Sequence, residues 1–294
     1  VAIKIFQFDK FGEGTQLTRD KYVEYACREC AIHQDMNHPN IVRLIETFSI
    51  EKKTGTFGVV MEHCDGDLQS VLDNKAKTGM PEEAARHIIV DIFHALLYIY
   101  EAHNVIHGDL KPSNILVRDG MAKLADFGVA ATLSPDFPTR ATFTGTPYWM
   151  APELITEEPY AAPVDIWAAA ITAIELADGA PPHASTNPMR ALFLIPHLPP
   201  PTLANPDGFS ADFVDFLATA LIQNPAHRPS AASLLDHPFI ASAPPRSALL
   251  PLYARVIAAR NAAADATAAQ LRALLDARPQ HPAAASPQAP PLSA

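Results

Sequence analysis

Cysteine is scarce in this chain. Three in 294 residues cannot build a disulfide framework, so a reducing, intracellular setting is expected, cytoplasmic with the nucleus left open. Apolar runs long enough to cross a bilayer are missing, as is a signal-peptide pattern, and no membrane insertion is expected. Excess positive charge is missing too. A net charge of −10 argues against a partner held mainly by attraction to phosphate, so nucleic acid is not expected. The twelve histidines show no H-E-x-x-H spacing, and the Cys27–Cys30 pair has no second pair to complete a zinc site. An initiator methionine is lacking, and the chain reads as a fragment beginning at Val1. No internal repeat is visible.

What is present is enough to fold. With 48% hydrophobic and 18% charged residues, the chain can bury a sizeable core in one or two domains. Val1–Phe8 is apolar and β-prone. A helical stretch over Tyr22–Met36 is stopped by Asn37-His38-Pro39. Ile41–Ser49 and Phe57–Glu62 read as strands joined by a Lys-Thr-Gly turn. Pro81 opens a long helix to about His103, with Glu82 and Glu83 in its first turn, where the helix dipole favours them. Short strands around Ile115–Val117 and Met121–Leu124 flank an Asp119-Gly120 turn. Helices are expected over Val164–Ala177, Ala211–Leu221 and Ala231–Leu235. This order predicts an α+β chain with two lobes, a small strand-rich one and a larger helical one. The lobes divide as residues 1–62, a hinge at 62–66, and 67–240. Beyond 240 the composition turns to Ala and Pro; residues 252–277 suit an amphipathic helix, and the remainder to 294 is expected to be disordered.

The chemistry concentrates in His107–Leu116, which reads HGDLKPSNIL, followed by Asp126-Phe127-Gly128 and Ala151-Pro152-Glu153. Phosphoryl transfer needs a base, a metal clamp and a charge neutraliser in one cleft. Asp109 is the candidate base for a substrate hydroxyl. Asn114, five residues on, can offer an amide oxygen to Mg²⁺, and Asp126 a carboxylate, since a hard cation prefers oxygen. Lys111 can neutralise charge on the phosphoryl group in flight. Lys4 ends a Val-Ala-Ile-Lys strand, and Glu29 on the following helix can orient its ammonium through a charge-assisted bond.

From Val1 to about Ile240 the chain resembles a eukaryotic protein Ser/Thr kinase catalytic domain. Gly145-Thr146-Pro147-Tyr148-Trp149-Met150-Ala151-Pro152-Glu153, and Asp165-Ile166-Trp167-Ala168 after it, are similar to the germinal-centre-kinase branch of the sterile-twenty-like kinases. Tyr25-Ala26-Cys27-Arg28-Glu29 with Ile32-His33 resembles the Tousled-like kinases. The resemblance implies a bilobal kinase-like fold, ATP and Mg²⁺ as cofactors, and a protein substrate bearing a Ser or Thr acceptor. It further implies Met61 at the back of the adenine pocket, with Glu62 and Cys64 presenting hinge backbone groups to the base. Ala2 and Leu116 would sandwich the ring, and Asp67 would contact ribose or substrate. Thr146 would bond the Asp109–Lys111 pair, and Glu153 would pair with Arg228.

Two departures stand out. Gly108 occupies the place where the family usually has an Arg that grips a phosphorylated activation segment, so control through Thr142 and nearby Arg140 is expected to be weak or rewired. A glycine-rich phosphate loop is absent ahead of Lys4, and Gly12-Glu13-Gly14 comes too late in the order to serve. The polypeptide as written is therefore expected to transfer phosphate poorly. The alternative reading is a catalytically impaired pseudokinase or scaffold, against which stands the joint retention of Lys4, Glu29, Asp109, Lys111, Asn114 and Asp126.

Overall fold

The computed structural model describes residues 1–6, 30–51, 56–72, 79–128, 130–133 and 145–243, with single helical positions at 254 and 258. The expected helix over 252–277 otherwise lies outside the described residues, as do Glu29, Cys27, Arg140, Thr142 and the 12–14 Gly-Glu-Gly run.

The small lobe is an antiparallel sheet of β1 (Ala2–Phe6), β2 (Leu44–Glu51) and β3 (Thr56–Met61), in the order β1-β3-β2. The register places Ala2 opposite Met61 and Lys4 opposite Val59. Period-two alternation then sends Ala2, Lys4 and Phe6 to one face and leaves Ile3 and Ile5 exposed on the other. Among the described residues, the core of this lobe is Phe6, Leu44 and Val59, packed by Cys30, Phe57 and Met61. Residues 30–34 are helical and lie against it.

The second strand starts later than the expected Ile41. Ile41 instead forms a parallel bridge to Leu124, and the Val42 N–H donates to the Leu124 carbonyl at 2.9 Å. The apolar run is continuous, but its first residues pair with a distant hairpin, a tertiary choice that a local pattern does not encode.

That hairpin is β6 (Ile115–Arg118) and β7 (Met121–Leu124), with β4 (Gly66–Asp67) alongside. A further pair, β5 (Val105–Ile106) and β8 (Ala131–Thr132), brackets the segment that holds Asp109, Asn114 and Asp126. After the short helix α1 (Leu68–Leu72), two long helices organise the large lobe. The first, α2 (Glu82–His103), ends on Asn104 in the left-handed conformation, whose N–H reaches the carbonyls of Ile99 and Tyr100. Past the short helix α3 (Pro152–Ile155) comes α4 (Pro163–Asp178), buried on every side, as its Ile-Trp-Ala-Ala-Ala-Ile sequence demands. The helices α5 (Pro188–Leu194), α6 (Ala211–Ala220), α7 (Ala231–Leu235) and α8 (Pro238–Ala241) complete the lobe. Among the described residues, no helix is long and apolar enough to cross a membrane.

Candidate active site

Between the lobes lies a cleft of about 430 Å³, a volume suited to a small organic ligand. Ala2 and Lys4 line its roof, Met61, Glu62 and Cys64 its back, and Asp67, Asn114, Leu116 and Asp126 its floor. Every residue expected to hold the nucleotide, apart from the undescribed Glu29, faces this one space. Burial pushes the Cys64 thiol up to about 11, so the hinge cysteine is protonated and a poor nucleophile.

The segment 107–114 contributes Ser113 and Asn114 to the floor, and Asp109, which does not itself line the cleft, is bonded to Asn114. Lys111 Nζ donates to Asp109 Oδ2 at 2.7 Å and to Thr146 Oγ1 at 2.6 Å, while the Thr146 hydroxyl donates to Asp109 Oδ1 at 2.7 Å. The Asn114 amide nitrogen donates to the Asp109 carbonyl at 2.8 Å and to Oδ2 at 3.0 Å. The amide is thereby oriented, and its oxygen is the atom left to face the cleft. Three donors hold one carboxylate in a single geometry, at a point where the chain passes from extended backbone into a 3₁₀ turn at Pro112–Asn114.

Asp126 adopts a left-handed φ of 63° and projects half-exposed into the cleft, where Lys4 Nζ lies 3.2 Å from Oδ1. Burial raises its carboxyl, but the Lys4 charge and hydrogen bond, His107 and the Gly128 N–H outweigh this and leave it below the ordinary range. It is ionised at neutral pH. Asp126 and Asn114 thus present the oxygen donors that Mg²⁺ requires, and this donor set fits the cation. Among the described residues no group of three or more His, Cys, Asp or Glu forms a metal cluster. A metal here would depend on further oxygens from substrate or water, as phosphate-bound Mg²⁺ normally does.

Behind Asp126, the Phe127 ring is buried between His33 and His107, at centroid distances of 4.9 and 5.1 Å. His107 Nε2–H donates to the Ala125 carbonyl at 3.0 Å and its Nδ1 accepts from the Asp109 N–H at 3.3 Å. His33, on the residue 30–34 helix, bonds the Val42 carbonyl through Nε2. A packed column therefore runs from the small lobe to the 107–114 segment.

Some assignments acquire detail. Asp67 lines the cleft, but its two carboxylate oxygens accept from the Ser70 N–H and hydroxyl, both at 2.8 Å, and so cap α1. Glu62 lines the cleft, and its carboxylate is held by Lys123 Nζ at 2.9 Å, Arg118 at 2.8 Å and the Arg43 N–H at 2.7 Å. Lys123 and Arg118 were not legible as hinge partners, because they sit on β7 and β6, some sixty residues away. Glu153 and Arg228 form the expected pair, at 2.8 and 3.1 Å. Gly108 takes φ 79°, a conformation that a glycine adopts freely and an arginine does not.

Two lobes on a short hinge, with a lysine on the roof, Asn114 and Asp126 on the floor and Asp109 bonded to Asn114, define the bilobal kinase-like class. Residues 1–240 match the protein kinase domain. The chain is 40% identical over 236 residues to the serine/threonine-protein kinase hippo of Drosophila melanogaster, covering 80% of this chain and 34% of that protein. It is 39% identical to the serine/threonine-protein kinase dst1 of Dictyostelium discoideum, over 85% of this chain and 32% of that one. Serine/threonine-protein kinase 1 of Arabidopsis thaliana is 38% identical, over 82% and 27% respectively. The chain belongs to the protein kinase family, and it spans about a third of the length of these relatives.

Proposed function

We propose that this chain transfers the γ-phosphoryl group of ATP to serine and threonine hydroxyls of protein substrates. The observation that carries the reading is the Asp109 carboxylate, held by Lys111, Asn114 and Thr146, with Asn114 itself lining the cleft that Lys4 and Asp126 face.

The residues divide the work by charge and reach. The adenine ring fits between Ala2 and Leu116, against Met61 and the hinge backbone at Glu62–Cys64. Lys4, oriented by Asp126, offers its ammonium to the phosphates. Asp126 and Asn114 would hold Mg²⁺, which when bound supplies neutralising charge to the phosphate oxygens. Asp109 accepts the hydrogen bond of the acceptor hydroxyl and orients its oxygen toward phosphorus. As the new O–P bond forms and the bond to the ADP oxygen breaks, the hydroxyl proton passes to Asp109. Lys111, already tethered to Thr146, lies beside the position where negative charge builds on the moving group. A lysine at this position supports Ser/Thr over Tyr acceptors, in line with the names of the relatives.

The test is Asp109→Asn in a phosphotransfer assay with ATP and Mg²⁺. A fall in kcat of roughly 10²–10⁴-fold, with ADP binding retained, is expected for loss of a general base. Equal rates in both proteins would sink the reading, and a wild-type protein that binds ADP but transfers nothing would favour a scaffold.

A further inference from the structure

The catalytic segment is tied to the core of the large lobe by one buried side chain, Asp165 on α4, which is 1% exposed. Its Oδ2 accepts from the His107 N–H at 2.7 Å and its Oδ1 from the Gly108 N–H at 2.8 Å. A third donor comes from a different element. Tyr100, near the end of α2, places its hydroxyl 3.0 Å from Asp165 Oδ2 and 3.0 Å from the Ala162 carbonyl. One hydroxyl proton faces two acceptors, and the charged one forms the stronger bond. Burial and the neighbouring Asp165 charge hold the Tyr100 phenol well above its ordinary range, so the group stays protonated and serves as a donor.

Gly108 gives this tie its importance. The residue before Asp109 has no side chain with which to anchor itself, and it is held at φ 79°. A glycine exchanges freely between conformations unless its backbone is pinned. The two N–H bonds to Asp165 are what pin it, and they hold only while the carboxylate keeps one rotamer. At this point helix α2 is capped, the Tyr100 carbonyl taking the N–H of Asn104 at 3.1 Å.

We propose that Tyr100 is a positioning residue for phosphoryl transfer: its hydroxyl sets the Asp165 carboxylate, which sets the backbone at His107–Gly108 and so the aim of Asp109. It acts through two intermediaries and touches neither substrate nor nucleotide. The inference rests on the phosphotransfer reading above, and its test separates the two.

Tyr100→Phe removes the hydroxyl and keeps the packed ring. Tyr98→Phe is the matched control, because that hydroxyl sits on the same helix but bonds the Asn37 N–H and His103 instead. Three readouts are taken on the full chain: kcat and KM for ATP, thermal stability, and hydrogen exchange at the amides of His107 and Gly108. For Tyr100→Phe, kcat is expected to fall roughly tenfold with KM for ATP unchanged, as one hydrogen bond to a charged group would predict. Exchange at the two amides should accelerate by a similar factor while the amides of α4 are unaffected. In Tyr98→Phe neither quantity should move. Unchanged amide exchange in Tyr100→Phe overturns the positioning role, and so does a loss of kcat matched by Tyr98→Phe. The Asp109→Asn comparison reports on the phosphotransfer reading independently, and the amide exchange remains informative whatever the activity.

Discussion

Arg228 uses all three of its side-chain nitrogens within the protein. Its Nε donates to the Ile222 carbonyl at 2.9 Å, and its two terminal nitrogens reach Glu153, the Pro163 carbonyl and the Gln223 carbonyl. The guanidinium also lies 5.2 Å from the Trp167 ring centroid. Both side chains of the Arg228–Glu153 pair are essentially dry, at 0% and 2% exposure. Taking two charges out of water is costly, so the pair adds little net stability as formed; breaking one side leaves the other charge stranded. Arg228→Ala is expected to lose about 3–5 kcal/mol, read as a lower urea midpoint with an unchanged slope. Arg228→Lys should not restore it, because a single ammonium cannot reproduce the two-pronged geometry. A midpoint within experimental error of wild type in either variant would show that this pair carries no structural weight.

Element by element, the large lobe is organised by what docks against α4. The turn before α2 approaches its carboxyl end so closely that the Met80 N–H takes the Leu176 carbonyl at 2.7 Å, satisfying one of the helix's unpaired terminal acceptors. A side chain at Gly79 would put its Cβ 1.7 Å from the Ala177 carbonyl oxygen. The obstacle is backbone, which cannot swing aside. Gly79→Ala should therefore destabilise by about 1–3 kcal/mol through overpacking, lowering the thermal midpoint. Equal stability would mean that the turn relaxes away from α4 without penalty. Helix α4 itself then stops at Gly179, whose φ of 86° provides the left-handed cap.

At the scale of the molecule, the link between lobes is concentrated at Glu62. This carboxylate stands where the hinge begins, yet its partners Lys123 and Arg118 belong to the hairpin beneath it. Lys123 is nearly buried and also reaches the Ile41 carbonyl at 3.4 Å, so it joins the hinge, the segment leading into β2 and the hairpin. Burial raises the Glu62 carboxyl, but hydrogen bonds from Lys123, the Arg43 N–H and Arg118 outweigh it and leave it below the ordinary range. The sign follows from linkage: the stabilisation is complete above the unfolded-state value and fades as pH falls through the depressed folded one. Lys123→Met keeps the stem and removes the charge. It should raise the dissociation constant of ADP several-fold, measured by a fluorescent nucleotide analogue, because the hinge backbone and Leu116 are no longer held in register. An unchanged dissociation constant would show that the hinge is set without this tie.

Several features were legible in the residues alone. The helices over 82–103 and 163–178 announce themselves by length, by proline at the start and by apolar content. The hairpin around Asp119-Gly120 follows from its turn residues, and the cluster of Asp109, Lys111 and Asn114 follows from a spacing so short that the loop has little choice. Sequence by itself therefore determined the elements and the clustering of Lys111 and Asn114 about Asp109, since both rest on interactions between near neighbours. Tertiary structure decided the rest. Ile41 left its strand for Leu124, the Glu62 carboxylate paired with Lys123 of the hairpin, and Tyr100 and Asp165 met across helices sixty-five residues apart. Those outcomes depend on which buried polar groups find one another when the lobes pack, a condition that no local pattern contains.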